Sequence, residues 1–325
     1  MTVRALITTV PFGSVDARPL DLLRAAGIEY VMNPLGRRPT EMELCELIRD
    51  VDLFIAGTEP ITDRVMASAP RLRIISRVGI GLDNVDLPAA RRRGIAVSYT
   101  PDAPAPAVAE LTIGLMLSLL RQIHTANRRV RTDGWHRLMG RRLGELTVGI
   151  VGVGRVGRGV IRLLSAFGAR ILANDLAPAR DVEDATWVEK TDIYERADVI
   201  SVHVPLTAHT ENMIAAAELS LMKSDAMLIN TSRGGIINEA DLAAALRAGR
   251  IGGAAIDVFC EEPYSGELAG LDRCLITCHM GSMSIDCRMR MELEATENVL
   301  QFLRDGAPVQ AVPEDEYQIQ EAKVL

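Results

Sequence analysis

One segment, Thr147-Val-Gly-Ile-Val-Gly-Val-Gly-Arg-Val-Gly157, constrains the fold of this chain more tightly than any other. An apolar strand, Thr147 to Val151, runs directly into Gly152-Val-Gly154-Arg-Val-Gly157, and the helix that follows has an apolar stripe including Val160, Ile161, Leu164 and Phe167. Glycines at this spacing have separate tasks: Gly152 permits the tight turn, Gly154 lets the backbone approach a pyrophosphate, and Gly157 lets helix and strand pack closely. The start of the helix adds unpaired N–H donors for an anion. No lysine follows to make a phosphate loop of the ATPase type. The next strand ends at Asp175, eighteen residues past Gly157, where a carboxylate accepts hydrogen bonds from a ribose diol and repels a 2'-phosphate. The pattern implies a dinucleotide site that takes NAD rather than NADP, with Arg155 and Arg180 near enough in sequence to offer a cation.

The rest of the chain alternates in the same way. Strand-like runs at Leu6 to Val10, Tyr30 to Asn33, Leu53 to Gly57, Arg73 to Val78 and Ile95 to Tyr99 are separated by helical stretches such as Glu41 to Asp50. Gly27 and Gly94 stand where helix C-caps belong. A second series follows at Val148 to Val151, Arg170 to Asn174, Val199 to Val202, Ala226 to Asn230, Ala254 to Val258 and Leu275 to Thr277. Alternation of strands and helices implies parallel sheets covered on both faces, so the fold class is α/β with two doubly wound sheets. Between the series, Thr100-Pro-Asp-Ala-Pro-Ala-Pro106 breaks the pattern; three prolines in so short a stretch predict a domain crossing, with a long helix beginning near Val108. Met289 to Leu303 is helical in character, and a polar, mobile tail is expected from Pro313 onward.

Composition excludes several function classes. A net charge of -7 gives no reason to expect a polyanionic partner, so nucleic acid is not expected despite basic runs such as Arg91 to Arg93. Five cysteines, Cys45, Cys260, Cys274, Cys278 and Cys287, form no Cys-x-x-Cys pair, which argues against structural zinc and a disulfide framework. The most apolar stretch, Ala107 to Leu120, contains Glu110 and is well short of the roughly 20 residues a membrane span needs, so it reads as a buried helix. The amino terminus has no signal-peptide pattern, and a cytoplasmic location is expected.

The stretch Leu228-Ile-Asn-Thr-Ser-Arg-Gly-Gly-Ile-Ile-Asn-Glu-Ala-Asp-Leu, continued by Gly249-Arg-Ile-Gly-Gly-Ala-Ala-Ile-Asp-Val-Phe-Cys-Glu-Glu-Pro263, resembles the D-isomer-specific 2-hydroxyacid dehydrogenases. Supporting matches are Val202-His-Val-Pro-Leu-Thr207, Arg77-Val-Gly-Ile-Gly-Leu-Asp-Asn-Val-Asp86 and Thr277-Cys-His-Met-Gly281, so the resemblance covers almost the whole chain. It implies a Rossmann dinucleotide domain at residues 101–289, inserted in a flavodoxin-like substrate domain made of residues 1–100 and 290–325, with the active site in the cleft between them. It implies that Arg233 binds the substrate carboxylate and carbonyl, that His279 is the general acid and base, and that Glu262 pairs with the imidazole. The chemistry fits. Reducing a 2-oxo acid places negative charge on the carbonyl oxygen, which a histidine can protonate; a neighbouring carboxylate favours the charged imidazole, and a guanidinium grips a carboxylate with two parallel hydrogen bonds.

By the same resemblance Arg155 and Val156 lie on the pyrophosphate, and His203, Pro205, Thr231 and Gly281 line the cofactor site. Asp257 holds the nicotinamide carboxamide, and His203 is close to the cofactor without being the acid and base. The backbone N–H groups of Val78 and Gly79 complete the carboxylate site, with Arg77 a candidate cation for a phosphorylated substrate. Pro104 replaces an asparagine common in the family, and Cys278 a frequent proline, which bears on substrate choice. NAD is the expected cofactor, a 2-oxo or 2-hydroxy acid the expected small-molecule partner, and a homodimer the expected assembly, through an arm at about Arg121 to Arg142. Two rival classes share much of this pattern. Formate and phosphite dehydrogenases resemble the chain but carry Gln at Glu262 and Lys at Ile80, respectively; an NAD-sensing co-repressor would keep the same residues and bind protein partners.

Overall fold

The computed structural model describes residues 2–178 and 181–321, so Arg180 lies outside the described residues. The chain forms two compact units, one of Met1–Pro104 with Ser282–Leu325 and the other of Ala105–Gly281. These limits fall four residues after and eight before the expected boundaries at 100 and 289.

In the first unit β1 (Arg4–Ile7), α1 (Arg18–Ala25), β2 (Glu29–Met32), α2 (Glu41–Leu47), β3 (Leu53–Ala56), α3 (Asp63–Ala67), β4 (Ile74–Arg77), α4 (Leu87–Arg92) and β5 (Ala96–Ser98) alternate. All strand pairs are parallel, in the order β2-β1-β3-β4-β5, the flavodoxin-like arrangement. Parallel strands covered by helices on both faces lose the polar alternation of a half-exposed strand, and every residue of β3 is fully buried. Local chemistry sets the helix limits. Thr40 and Glu43 close a capping box at the start of α2, and Gly27 and Gly94, at φ +70° and +67°, follow α1 and α4 in the left-handed conformation that glycine adopts without strain.

The second unit holds α5 (Pro104–Leu120), α6 (Ile123–Thr132), β6 (Thr147–Val151), α7 (Arg155–Phe167), β7 (Arg170–Asn174), β8 (Thr186–Trp187), α8 (Lys190–Arg196), β9 (Val199–Val202), α9 (Ala216–Leu221), β10 (Met227–Asn230), α10 (Glu239–Arg247), β11 (Gly253–Ile256) and β12 (Cys274–Ile276). Its parallel sheet runs β12-β11-β10-β9-β6-β7-β8, so the winding reverses between β6 and β9. Successive residues serve opposite cores: Ile200, Leu228 and Ala254 pack in one, Val199, Ile229 and Ala255 in the other. The helices α11 (Ile285–Asp305) and α12 (Glu314–Glu321) return the chain to the first unit.

Two expectations are corrected, and one strand is added. Pro104 is the first residue of α5 and Pro106 its third, so the helix begins four residues before Val108; N–H groups of a first turn have no intrahelical acceptor, and a proline there removes nothing. The stretch after Pro313 contains α12, which docks on α4: Tyr317 lies 3.9 Å under the Arg91 guanidinium, and the Gln320 side chain accepts from Leu87 N and donates to Leu82 O. The two-residue β8 has no strand-like run in the sequence. Among the described residues no single helix is long and apolar enough to cross a membrane, although α5 and α6 together, bent by 56°, have the length and composition.

At the amino edge of the larger sheet, Asp198 accepts from Thr147 N (2.8 Å), Lys223 Nζ (3.0 Å) and Arg141 (3.0 Å). Burial alone would raise its carboxyl, but these three donors outweigh burial and hold it below the usual carboxylate range. A depressed native value means that the stabilisation is complete above the unfolded value, near 3.9, and is lost as the pH falls through the native one. Asp198→Asn is therefore expected to lose about 1–3 kcal/mol at pH 7. Urea denaturation of the two proteins should show the gap closing as the pH drops below about 4; a gap that persists unchanged would mean that the carboxylate charge is not what matters.

Candidate active site

Five of the residues singled out in the second unit stand one position past a strand: Gly152 after β6, Asp175 after β7, His203 after β9, Thr231 after β10, Asp257 after β11. They share the carboxyl edge of one parallel sheet, the edge at which open α/β sheets bind ligands.

The glycine turn has the geometry its spacing predicts. Gly152 has φ +95°, and a Cβ there would lie 2.6 Å from the backbone C and O of His203, at the point where the winding reverses. A Cβ on Gly157 would overlap Gly152 O. At Gly154 nothing lies within 4 Å, so this face of the turn is open to an incoming group. Gly154 caps α7 without a side-chain hydrogen bond, and Arg155 and Val156 form the first turn, whose N–H groups have no intrahelical acceptor. Asp175 is fixed from below, with Oδ2 accepting from Val153 N (2.7 Å) and Oδ1 from Ala177 N (3.1 Å). Open glycine, uncapped helix start and adjacent carboxylate together fit the pyrophosphate and ribose of a dinucleotide.

Farther along the edge, His279 Nδ1 lies 2.8 Å and 3.1 Å from the two carboxylate oxygens of Glu262. Glu262 Oε1 also accepts from Phe259 N (3.1 Å), which steadies the carboxylate. Arg233 stands in the loop after β10, where the buried Asn230 makes a closed turn: its Oδ1 accepts from Ser232 N and Oγ, and its Nδ2 donates to Arg233 O. One Arg233 N–H donates to Ser232 O at 2.7 Å, which orients the guanidinium. Gly234 lies against the Phe259 and Cys260 backbone so closely that any Cβ would overlap it, so the loops bearing Arg233 and Glu262 are in contact. Sequence reading did not single out Asn230, although an Asn followed two residues later by Ser at a strand end is the signature of a side-chain-closed turn.

Asp257 is 1% exposed; its Oδ1 accepts from Thr277 Oγ1 (2.6 Å) and Met280 N (2.9 Å), and its Oδ2 from Gly281 N (2.9 Å). Thr231 is buried, with its hydroxyl 2.8 Å from that of Thr112 on α5. Pro205 is exposed, and its carbonyl accepts from Thr210. His203 is half-buried with Nε2 on Ser201 Oγ at 2.9 Å, and burial pushes its imidazole down to about 4, so it is neutral near pH 7.

Arg77, Val78 and Gly79 belong to the first unit. Val78 N donates to Ala56 O at 2.9 Å and Gly79 N to Thr100 Oγ1 at 2.7 Å, so both amides already have protein acceptors. The Arg77 side chain is buried and donates to Val78 O and to Asn84 Oδ1, bracing its own loop.

Comparison with known proteins identifies the family. Residues 113–281 match the model of the D-isomer specific 2-hydroxyacid dehydrogenase NAD binding domain. A glyoxylate reductase of Thermofilum pendens is 38% identical over 83% of this chain and 84% of its own length. A D-3-phosphoglycerate dehydrogenase of Methanocaldococcus jannaschii is also 38% identical over 82% of this chain, which spans only 52% of that protein. Among solved structures, an NADPH-dependent glyoxylate/hydroxypyruvate reductase of Sinorhizobium meliloti, in complex with NADP and malonate, superposes with a TM-score of 0.84 at 30% identity over 97% of this chain and 98% of its own. With its glycine turn, its strand-end residues and its close relatives in agreement, the chain belongs to the D-isomer-specific 2-hydroxyacid dehydrogenase family, enzymes that depend on NAD(P).

Proposed function

We propose that this enzyme interconverts a small 2-oxo acid and its D-2-hydroxy acid with NAD(H), using His279 as proton donor and acceptor, Glu262 as its partner and Arg233 as the substrate anchor. The observation that carries the reading is the pair of His279 Nδ1 and Glu262 at 2.8 Å, on the sheet edge that also carries the glycine turn. With Nδ1–H donating to Glu262, Nε2 is the ring nitrogen through which His279 gives or takes a proton at the substrate oxygen. Arg233, oriented by Ser232 O, offers a planar fork that holds the substrate carboxylate and polarises the adjacent carbonyl. Bound NADH supplies the hydride to C2 of the 2-oxo acid. As that oxygen becomes negative, the His279 proton and the Arg233 charge stabilise it more than they stabilise the ground state, which is the condition for lowering the barrier.

The test is NADH oxidation with glyoxylate, hydroxypyruvate and 3-phosphohydroxypyruvate. His279→Ala is expected to lower kcat by about 10²–10⁴-fold, and Arg233→Ala to raise KM for the acid as well. If none of these acids is reduced while NADH still binds, the proposal fails. His203 stays neutral down to about pH 4, so His203→Gln should leave the pH dependence of kcat unmoved between about pH 5 and 9. A limb that shifts in this variant would assign the titrating group to His203.

NAD rather than NADP follows from Asp175. Its oxygens each keep a lone pair for a ribose hydroxyl, while its charge opposes a 2'-phosphate. We expect NADH to be preferred and Asp175→Ala to narrow the preference; equal turnover with NADPH by the wild-type enzyme would refute this.

A homodimer completes the reading. None of α6 is buried, and in the segment after it Trp135 and Met139 are 83% and 91% exposed, which suits an arm that embraces a second copy. Light scattering should give twice 35.3 kDa for the wild type and a lower mass for Trp135→Ser. A wild-type monomer would rule the arm out as an interface.

A further inference from the structure

We propose that Asp257 is a positioning residue for His279: its carboxylate folds residues 277–281 into the turn that sets the imidazole against Glu262. The inference rests on the reading of His279 given above, and it assigns Asp257 a task distinct from holding a carboxamide.

His279 has φ +50°, a conformation that side chains other than glycine adopt only where their surroundings hold them there. Here most of the backbone hold comes from one residue. Asp257 receives Thr277 Oγ1, Met280 N and Gly281 N on its carboxylate, and its backbone oxygen accepts from His279 N at 2.8 Å. Four of the five residues of the turn are thus tied to Asp257, on both sides of the strained position. Asp257 is itself fixed, because its own N–H donates to Asn230 O at 2.9 Å across to β10. Its charge is met by these oriented donors, an arrangement that suits a buried carboxylate. Gly281 keeps the turn tight, since a Cβ there would stand 3.3 Å from Asp257 Oδ2 and 3.2 Å from Val108 Cγ2.

Without the carboxylate, the bonds to residues 277, 280 and 281 that flank residue 279 and hold it at positive φ are lost. Return to the ordinary region swings Nδ1 away from Glu262 and displaces Nε2.

The test compares Asp257→Asn, Asp257→Ala and Thr277→Val with wild type as full chains loaded with NADH. Asp257→Asn keeps the volume but turns one acceptor into a donor that faces another donor, so it reports even if the alanine variant does not fold. The first readout is the NMR signal of the imidazole Nδ1–H bonded to Glu262, identified by its loss in His279→Ala and in Glu262→Gln. The expected result is loss of that signal in Asp257→Asn and its weakening in Thr277→Val. The second is kinetic: kcat with glyoxylate should fall about 100-fold, while KM for glyoxylate and the NADH dissociation constant change by less than about threefold. An intact Nδ1–H signal in Asp257→Asn overturns the proposal, as does a loss that resides in NADH affinity and not in kcat. If His279→Ala turns over normally, the assignment of the acid and base fails on that result alone, and the NMR signal still decides whether Asp257 orients the imidazole.

Discussion

The contact on which the larger sheet depends is the one between the glycine turn and its neighbours. Gly157 rests on Gly152 O and Gly152 on the His203 backbone, with no room for a Cβ at either place. The first contact brings α7 down onto β6, and the second joins β6 to β9 where the winding reverses. A crevice opens at such a reversal because the connections on its two sides leave in opposite directions. The same glycines that close the packing therefore leave Gly154 exposed at the mouth of the turn. Packing and ligand access are one constraint here, and a methyl group at Gly152 or Gly157 would violate both.

From that turn the site extends by repetition. At three of the parallel strands, a polar residue at or just past the strand end fixes its own or a neighbouring loop with its side chain. Asn230 closes the loop of Arg233, Asp257 the loop of His279, and Asp175 ties Val153 to Ala177. Leaving such a group buried and unpaired costs about 1–3 kcal/mol, so the pairing is enforced by stability before function is considered. Reactive side chains then inherit their positions from backbone turns. That is more rigid than holding them by packing alone, since a side chain carried by a closed turn has few torsions left to fix.

How far the sequence alone leads can be judged element by element. A strand whose four residues are all apolar and buried, such as β3, stands out as a short apolar run between polar segments. The glycine turn is legible because each glycine has a distinct steric reason. The two residues of β8 carry no periodicity, and α12 is too polar to advertise a partner: what holds it is a cation over the ring of Tyr317 and the bonds of Gln320, all made with residues more than 200 positions away. In the site, residue types were readable and occupancy was not. Val78 and Gly79 look like donors awaiting a carboxylate, yet Ala56 O and Thr100 Oγ1 take their N–H groups, and only coordinates reveal an acceptor supplied from a distant strand or loop.

The two edges of the larger sheet treat carboxylates differently, and the difference follows from the helices. In a parallel sheet the connecting helices begin at the carboxyl edge of the strands and end at the amino edge, so partial positive charge collects at the first and negative at the second. At the amino edge Asp198 sits against that field, and two cations, Lys223 and Arg141, hold it. At the carboxyl edge Asp175 and Asp257 are held by backbone N–H groups and a hydroxyl. Carboxylates satisfied in this way fix loops without drawing in guanidinium groups from the same edge. One N–H of Arg233 likewise donates to a neutral group, the carbonyl of Ser232. At this edge the positive ends of the helices supply part of what Lys223 and Arg141 supply to Asp198 at the other.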